Sequence, residues 1–283
     1  MISVKKLIYR VLSPIILDRV NLTLCVVLNG KVVKIPTIGR IGYNHLQLED
    51  AWMIDLLEML FPMRDGTFVD IGANLGQALI KAKCIEPTIR YVGFEPNPVC
   101  VHYTRTLIKQ NRFKNCSVVS AGISVENGVL PLSCFDSETS QDGTIIEGLR
   151  SQEVKHQFLV AVERFEYVYD KLNLGKLSVV KIDVEGAELE VIQGMEPLLE
   201  TDRPFIVCEI LPVGCVENAS GIARQEQVER IIKAHRYCMC RIGKKKNGHL
   251  AGLTRIETIG VHADVSLRDY LFVPDELVDR VFG

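Results

Sequence analysis

The chain has 283 residues, 47% of them hydrophobic, and is therefore long enough to bury a sizeable core, as one large domain or as a domain with an appendage. A formal charge of −2 gives no basic field, so we expect no nucleic-acid partner. The nine scattered cysteines include no CxxC pair, so they fit neither a secreted disulfide framework nor a zinc site and favour the reducing cytoplasm.

The first twenty residues combine an apolar stretch with two lysines, as a signal peptide does. Arg10 and Pro14 interrupt that stretch, and no small-residue cleavage site follows it. The stretch is also too short to span a bilayer, which takes about 20 apolar residues. We expect a helix that packs on the domain; weak peripheral contact of that helix with a membrane surface is the alternative.

The next segment is predicted to form a β-hairpin and a second helix. Two β-rich runs flank Asn29-Gly30, a strong hairpin signal. Apolar residues then recur at helical spacing from Leu46 to Phe61, and Pro62 ends the pattern. We therefore predict two parts, an N-terminal extension over residues 1–62 and a main domain over residues 63–283.

In the main domain, apolar runs of strand length alternate with helical patterns. The predicted strands are TFVDIG, RYVGFEPNP, CSVVSAGIS, an inserted GVLPLSCF, LSVVKIDVEG, PFIVCEIL, YCMCRIG and RDYLFVP. Apolar strands separated by helices indicate an α/β fold with a mainly parallel sheet covered on both faces. The polar segment from Asp136 to Gln152 is predicted to be either a mobile lid on the ligand side or an ordinary surface loop.

Acidic residues fall at the predicted carboxyl ends of four strands, which is where ligands gather in such sheets. They are Asp70, Glu95, Asp183 and Glu209. A ligand that needs several carboxylates is therefore expected at this edge of the sheet.

The turn after the first strand, GANLG from Gly72 to Gly76, is compatible with two kinds of ligand. A nicotinamide dinucleotide favours G-x-G-x-x-G, but Asn74 occupies the middle glycine position that lets the backbone approach a pyrophosphate. S-adenosylmethionine has no phosphate and carries a cationic methionine end and a ribose diol. Asp70 would orient the methionine end, directly or through water, and Glu95 would accept hydrogen bonds from the diol. The glycines would keep the turn low enough for close contact.

The segments FVDIGANLG, VGFEPNP and VVKIDVEGAELEVIQGM resemble the FkbM family of S-adenosylmethionine-dependent methyltransferases. The resemblance covers the chain from Gly66 to Leu211, with a weaker match at DYLFVP, and the third segment is the most specific. It implies a class I methyltransferase (Rossmann-like) fold of seven strands, the last antiparallel, and S-adenosylmethionine as cofactor. It also implies methyl transfer to oxygen, with a sugar, glycan or natural-product hydroxyl as acceptor. Ala121, at the end of the third strand, is predicted to be a further cofactor contact.

An alcohol is a weak acid, so a general base is expected near the sulfonium. Asp183 is the leading candidate and Glu185 the second, because strand alternation would place both on one face. Lys181 would share that face and pair with Asp183. The alternative for Asp183 is a structural acid that caps the turn at Gly186. We predict no metal; magnesium held by Asp183, Glu185 and Glu209 is the alternative.

Two other functions stay open at this point. One is a nicotinamide-dependent oxidoreductase, disfavoured by Asn74 and Asp70, and the other is a non-catalytic protein that keeps the cofactor fold for interaction. The sequence brings no histidine near the cofactor among the four considered, which are His102, His156, His235 and His262.

Overall fold

The computed structural model describes residues 21–39, 41–46, 50–135, 143–146 and 152–283. The predicted N-terminal helix lies outside these ranges, and so does most of the polar segment predicted as a lid or loop. All nine cysteines are free thiols. Within the described ranges, no helix combines the length and the apolar character that crossing a membrane requires.

The described residues form thirteen strands, numbered in chain order. They are β1 Leu22–Leu28, β2 Lys31–Thr37, β3 Thr67–Ile71, β4 Tyr91–Phe94, β5 Cys116–Val119, β6 Gly122–Ser124, β7 Gly128–Cys134, β8 His156–Arg164, β9 Leu177–Ile182, β10 Phe205–Glu209, β11 Tyr237–Lys244, β12 Leu250–Arg255 and β13 Asp269–Pro274. The α-helices of the same ranges are α1 Ala51–Leu60, α2 Gln77–Ile85, α3 Pro98–Asn111, α4 Phe165–Lys171, α5 Glu188–Gly194, α6 Glu196–Thr201, α7 Ala219–Ala234 and α8 Val278–Phe282.

A hairpin of β1 and β2 precedes the main sheet. The strands pair antiparallel, and the turn residues Asn29 and Gly30 have φ of 48° and 70°. Both values lie in the left-handed region that a two-residue hairpin turn requires, which explains the Asn-Gly pair. The hairpin is fixed to α3 by the Asn111 side chain, which accepts from the Lys34 N–H and donates to the Lys34 carbonyl, each at 2.7 Å.

The second predicted helix, α1, starts at Ala51 rather than at Leu46, and a short 3-10 turn at Tyr43–Leu46 precedes it. Its apolar side, which includes the buried Trp52, joins the same hydrophobic cluster as Val33 of the hairpin and residues of the main sheet. The extension and the main domain thus share a core, and a domain boundary near residue 62 stays a prediction.

The main sheet has eight strands in the order β12-β11-β13-β10-β9-β3-β4-β5. The run from β10 to β5 is parallel, whereas β13 lies antiparallel to both of its neighbours. The predicted α/β class I methyltransferase fold is therefore confirmed, with one added strand. That strand, β12, pairs antiparallel with β11 at the edge. It was not predicted because LAGLTR is largely exposed and poor in residues that favour strands.

The predicted third strand CSVVSAGIS is in fact two strands in different sheets. Its first half is β5 of the main sheet, and its second half is β6, which pairs with β8 in a three-stranded sheet ordered β6-β8-β7. The inserted strand predicted from GVLPLSCF is β7, while β8 was not predicted. The chain leaves the main sheet at Ser120 and Ala121, just before Gly122.

Two large apolar clusters cover the two faces of the main sheet. Helices α1, α2 and α3 pack on one face, and α4 to α7 pack on the other. Neighbouring residues such as Phe68 and Val69 point to opposite faces, as strand geometry requires. The carboxyl ends of β3, β4, β9 and β10 consequently meet at one edge, where a cavity opens.

Candidate cofactor and active site

A cavity of about 270 Å³ lies at the carboxyl ends of the parallel strands. Its wall combines the turn after β3, the ends of β4, β9 and β10, one side of α2, and residues between the hairpin and α1. Five of the predicted site residues line it, namely Gly72, Asn74, Glu95, Asp183 and Glu185. Three other predicted site residues are not part of its described lining, namely Asp70, Gly76 and Ala121.

Asp70 is completely buried below the cavity, which corrects the expectation that it would touch a ligand directly. Its Oδ2 accepts a hydrogen bond from the Tyr91 hydroxyl at 2.6 Å. Its Oδ1 lies 3.3 Å from Lys181 Nζ, an ion-pair distance without good hydrogen-bond geometry. Burial raises the pKa of Asp70, and Lys181 opposes that rise. Asp70 is therefore connected to the cavity through Lys181, while its contact with a ligand through water stays a prediction.

Lys181 links the buried acid to the cavity. Its Nζ lies 3.1 Å from Asp183 Oδ2 and donates to the Gly72 carbonyl at 3.3 Å. Burial alone would lower the pKa of this lysine, but the charges of Asp183 and Asp70 outweigh it and hold the pKa above its usual value. Lys181 is therefore a cation at neutral pH and fixes Asp183 relative to the turn after β3. The pairing of Lys181 with Asp183 agrees with the expectation from sequence.

The glycines of the turn are required by packing within the protein. Gly72 has a φ of 82°, and a Cβ there would lie 1.8 Å from the Asp183 carbonyl oxygen. Gly76 also has a φ of 82°, and its Cβ would press on Thr104 and Leu107 of α3 at 3.1 and 3.2 Å. Gly76 therefore serves helix packing, and Gly72 lets the turn close against the residue that follows β9. Because Gly72 also lines the cavity, its close approach to a ligand stays a prediction.

Glu95 is buried at the wall of the cavity between two backbone donors. Its Oε2 accepts from the Asn74 N–H at 2.7 Å and its Oε1 from the Asn97 N–H at 2.8 Å. Burial raises the pKa of this carboxyl to about 7. A carboxylate has about four acceptor positions, so both oxygens can still accept from a ligand hydroxyl. The geometry therefore fits the expected ribose diol.

Three carboxylates in the wall of the cavity lie close to one another. Asp183, Glu185 and Glu209 each place one oxygen within 4.8 Å of the others. The expected strand does not extend to Glu185, because β9 ends at Ile182 and Glu185 has a left-handed φ of 55°. Burial, followed by the charge of Asp183, raises the pKa of Glu209 to about 8.

The same three oxygens have the chemistry that a hard divalent cation prefers. Two of the carboxylates, however, already have cationic partners, Lys181 for Asp183 and Arg268 for Glu209 at 3.2 Å. The prediction of a site without metal stays a prediction.

The polar residues of the wall that were not predicted from the sequence include His45 and Lys81. His45 is buried between the hairpin and α1, and its ring lies 5.6 Å from that of Tyr103. Burial, with a smaller contribution from Lys81, lowers the pKa of His45 to about 4. Lys81 lies on α2 and is also buried. Helical periodicity marks Lys81 as a neighbour of Gln77, but no signal in the sequence predicts that His45 lies beside them.

Comparison with known proteins gives a family match over the site and most of the main sheet. The family model for the methyltransferase FkbM domain matches residues 70–238. Methyltransferase sdnD of Sordaria araneosa is 28% identical over 154 residues, which cover 45% of this chain and 60% of that protein. Methyltransferase 1 of Beauveria bassiana (strain ARSEF 2860) is 23% identical over 159 residues, which cover 50% and 64%. The chain thus matches less than two thirds of the length of either relative.

Among solved structures, methyltransferase FkbM from Methylobacillus flagellatus KT is similar with a TM-score of 0.48 and 13% identity, over 83% of this chain and 51% of that one. Because the family model matches more than half of the sequence, the chain belongs to the FkbM methyltransferase family, and its cofactor is S-adenosylmethionine.

Proposed function

We propose that the protein is an S-adenosylmethionine-dependent O-methyltransferase whose acceptor is a hydroxyl of a sugar, glycan or natural product. The observation that carries the proposal is the position of Asp183. Its carboxylate is about one-third exposed, lines the cavity together with Gly72 and Glu95, and is held by Lys181 at 3.1 Å.

When bound, S-adenosylmethionine supplies a methyl group that is already activated by the sulfonium. The protein then has to align a hydroxyl, exclude water and accept the hydroxyl proton. Alignment can lower the barrier by about 7–11 kcal/mol. Asp183 Oδ1 is the proposed proton acceptor, because Lys181 contacts the other oxygen. Glu95 is the proposed partner of the ribose diol.

Three carboxylates in the wall of the cavity support the proposed acceptor class. Asp183, Glu185 and Glu209 are acceptors of hydrogen bonds when ionised. A molecule with several hydroxyl groups can donate hydrogen bonds to the ionised carboxylates of this wall. This concentration of hydrogen-bonding oxygens supports a polyhydroxylated acceptor.

The test compares ligand binding with turnover. Calorimetry should detect S-adenosylhomocysteine and not NAD, and a panel of sugars and polyols should yield S-adenosylhomocysteine from S-adenosylmethionine. Asp183→Asn should lower kcat on the order of 10²–10⁴-fold, the usual contribution of a general base, while the affinity for S-adenosylhomocysteine stays within about twofold. Asp170→Asn, at an exposed acid of α4, is the matched control.

Different failures point to different conclusions. Binding of NAD without S-adenosylhomocysteine would refute the proposal. Binding of S-adenosylhomocysteine without methylation of any acceptor would favour a non-catalytic role. Unchanged turnover in Asp183→Asn would leave the methyltransferase function intact and remove Asp183 from the role of base.

A further inference from the structure

Helix α2 contributes a buried lysine to the wall of the cavity. Gln77 and Lys81 are four residues apart on α2, so they lie on one face of the helix, and both line the cavity. Only 7% of the Lys81 side chain is exposed, and its Nζ lies 3.9 Å from Asp50, whose side chain is 57% exposed. Lys81 thus places a buried positive charge in the wall of the cavity.

His45 adds a neutral polar group to the same wall. It lines the cavity, and its Nε2 is buried with no hydrogen-bond partner among the described residues. A buried polar nitrogen without a partner is costly, which makes it a strong candidate for contact with a ligand. The neutral ring has one N–H donor and one acceptor nitrogen, so it can donate from Nε2. Lys81 is close enough to perturb its ionisation.

The position of Lys81 and His45 relative to the turn after β3 indicates which part of the cofactor they could contact. Lys81 follows Gln77, the first residue of α2, by about 6 Å along the helix axis. A cofactor whose ribose contacts Glu95 and whose chain crosses the turn at Gly72 would bring its methionine end along this face. That end carries one anionic group, a carboxylate, whereas the adenosine end carries none.

We propose that Lys81 and His45 bind the methionine carboxylate of S-adenosylmethionine, Lys81 by charge and His45 by a hydrogen bond from Nε2. This inference rests on the proposed function, since it requires the cofactor to occupy the cavity. The start of α2 adds favourable electrostatics, because the N-terminal end of a helix of nine residues attracts negative charge. The methionine end is then held at its carboxylate by this pair, instead of at its cationic groups by Asp70.

The test compares two ligands that differ in that carboxylate alone. S-adenosylhomocysteine has it, and S-adenosyl-3-thiopropylamine has a hydrogen in its place. Calorimetry should show that the wild-type protein binds S-adenosylhomocysteine at least about tenfold more tightly, the order expected for a charge-assisted hydrogen bond. Lys81→Met should remove most of that preference by weakening S-adenosylhomocysteine alone. His45→Phe, which keeps a ring against Tyr103, should reduce the preference several-fold.

Controls distinguish a failure of this inference from a failure of the proposed function and from unfolding of the variants. His102→Phe and Lys109→Met make the same changes at exposed positions of α3 and should leave the preference unchanged. Thermal unfolding midpoints establish that each variant is folded at the assay temperature. An unchanged preference in folded Lys81→Met and His45→Phe would overturn the inference and leave the proposed function standing. A wild-type protein that binds neither ligand would overturn both.

Discussion

Asp70 illustrates how a residue at the end of a strand can serve the site without lining it. In the parallel register it lies beside Lys181 on β9 and beside Gly93 on β4. A Cβ at Gly93 would lie 2.8 Å from the Tyr91 hydroxyl, so this glycine leaves the space through which Tyr91 reaches Asp70. The sequence predicts an acid at this position, but the depth of its carboxylate depends on these cross-strand neighbours.

Replacing Lys181 should destabilise the protein because it leaves a buried acid without its cation. Lys181→Met is expected to lower the free energy of unfolding by about 3–5 kcal/mol, the range for breaking a buried ion pair. Asp70→Asn combined with Lys181→Met should recover part of that loss, since the uncompensated charge is then absent. Urea unfolding of the two single variants and the double variant measures this coupling; purely additive losses would contradict it.

Replacing Gly72 should cost more stability than replacing another glycine whose backbone is also in the left-handed region. Gly72→Ala would combine a left-handed φ with a contact of 1.8 Å to the Asp183 carbonyl oxygen. Gly175→Ala is the matched control, because its φ is 66° and nothing lies within 4 Å of its Cβ. We expect the control to cost about 1–2 kcal/mol from backbone strain alone.

Gly72→Ala should lower the free energy of unfolding by more than the control does. The substitution should also weaken the binding of S-adenosylhomocysteine, because the turn has to move away from the residue that follows β9. Urea unfolding and calorimetry check the two parts. Equal losses of stability in the two variants would mean that the turn yields without cost.

At the scale of elements, the hairpin is attached to the main domain through the amide side chain of Asn111, which forms hydrogen bonds with the backbone of β2 as a neighbouring strand would. Asn111 of α3 makes both backbone hydrogen bonds with Lys34 of β2. Asn111→Ala should remove them and make the Lys34 amide exchange its hydrogen faster, while amides of β3 are unaffected. The expected loss is about 1–2 kcal/mol, from two hydrogen bonds of about 1 kcal/mol each.

Gln110→Ala is the control for this prediction. Gln110 Oε1 accepts from the exposed Thr23 hydroxyl of β1, so its loss should leave the Lys34 amide unchanged. Hydrogen exchange followed by mass spectrometry or NMR distinguishes the two variants. Equal exchange of the Lys34 amide in wild type and Asn111→Ala would show that packing alone holds the hairpin.

The elements that the sequence predicts well are those buried on both faces or marked by turn residues. Strands β3, β4, β9 and β10 are continuous apolar runs, and Asn29-Gly30 marks the hairpin. Strands β8 and β12 were missed because most of their residues face solvent or a small satellite cluster. The split between β5 and β6 was missed because the change of sheet depends on pairing with β8, which lies over thirty residues further along the chain.

At the scale of the whole molecule, the sequence predicts the part of the candidate site at the ends of the parallel strands but not the part contributed by the extension. Glu95, Asp183 and Glu209 come together because parallel strands align their carboxyl ends, a rule that applies to any such sheet. His45 reaches the cavity from the 3-10 turn at Tyr43–Leu46, where its ring packs near that of Tyr103 on α3. That placement follows from tertiary packing of the extension, and no local pattern predicts it.

Several buried carboxyls give the whole molecule a defined pH dependence of stability. Burial raises the pKa of Glu95 and of Glu188 to about 7, and that of Glu209 to about 8. Between their unfolded value of about 4.5 and these values, the folded state binds more protons than the unfolded state, so the free energy of unfolding falls as pH rises. His45 has the opposite effect only between its folded pKa of about 4 and its unfolded value of 6.5.

The carboxyl effect should therefore dominate from about pH 6.5 to about pH 8, and the thermal unfolding midpoint should decrease over that interval. Glu188→Gln tests the cause outside the cavity, because glutamine keeps an oxygen that accepts from the Gly186 N–H, as Glu188 Oε1 does at 2.9 Å, and does not titrate. Differential scanning calorimetry at both pH values should show a smaller decrease for Glu188→Gln than for wild type. A midpoint that rises with pH in the wild-type protein would mean that these carboxyls are ionised in the folded state without a burial penalty. Water in the cavity that Glu95 and Glu209 line would then have to solvate their charges.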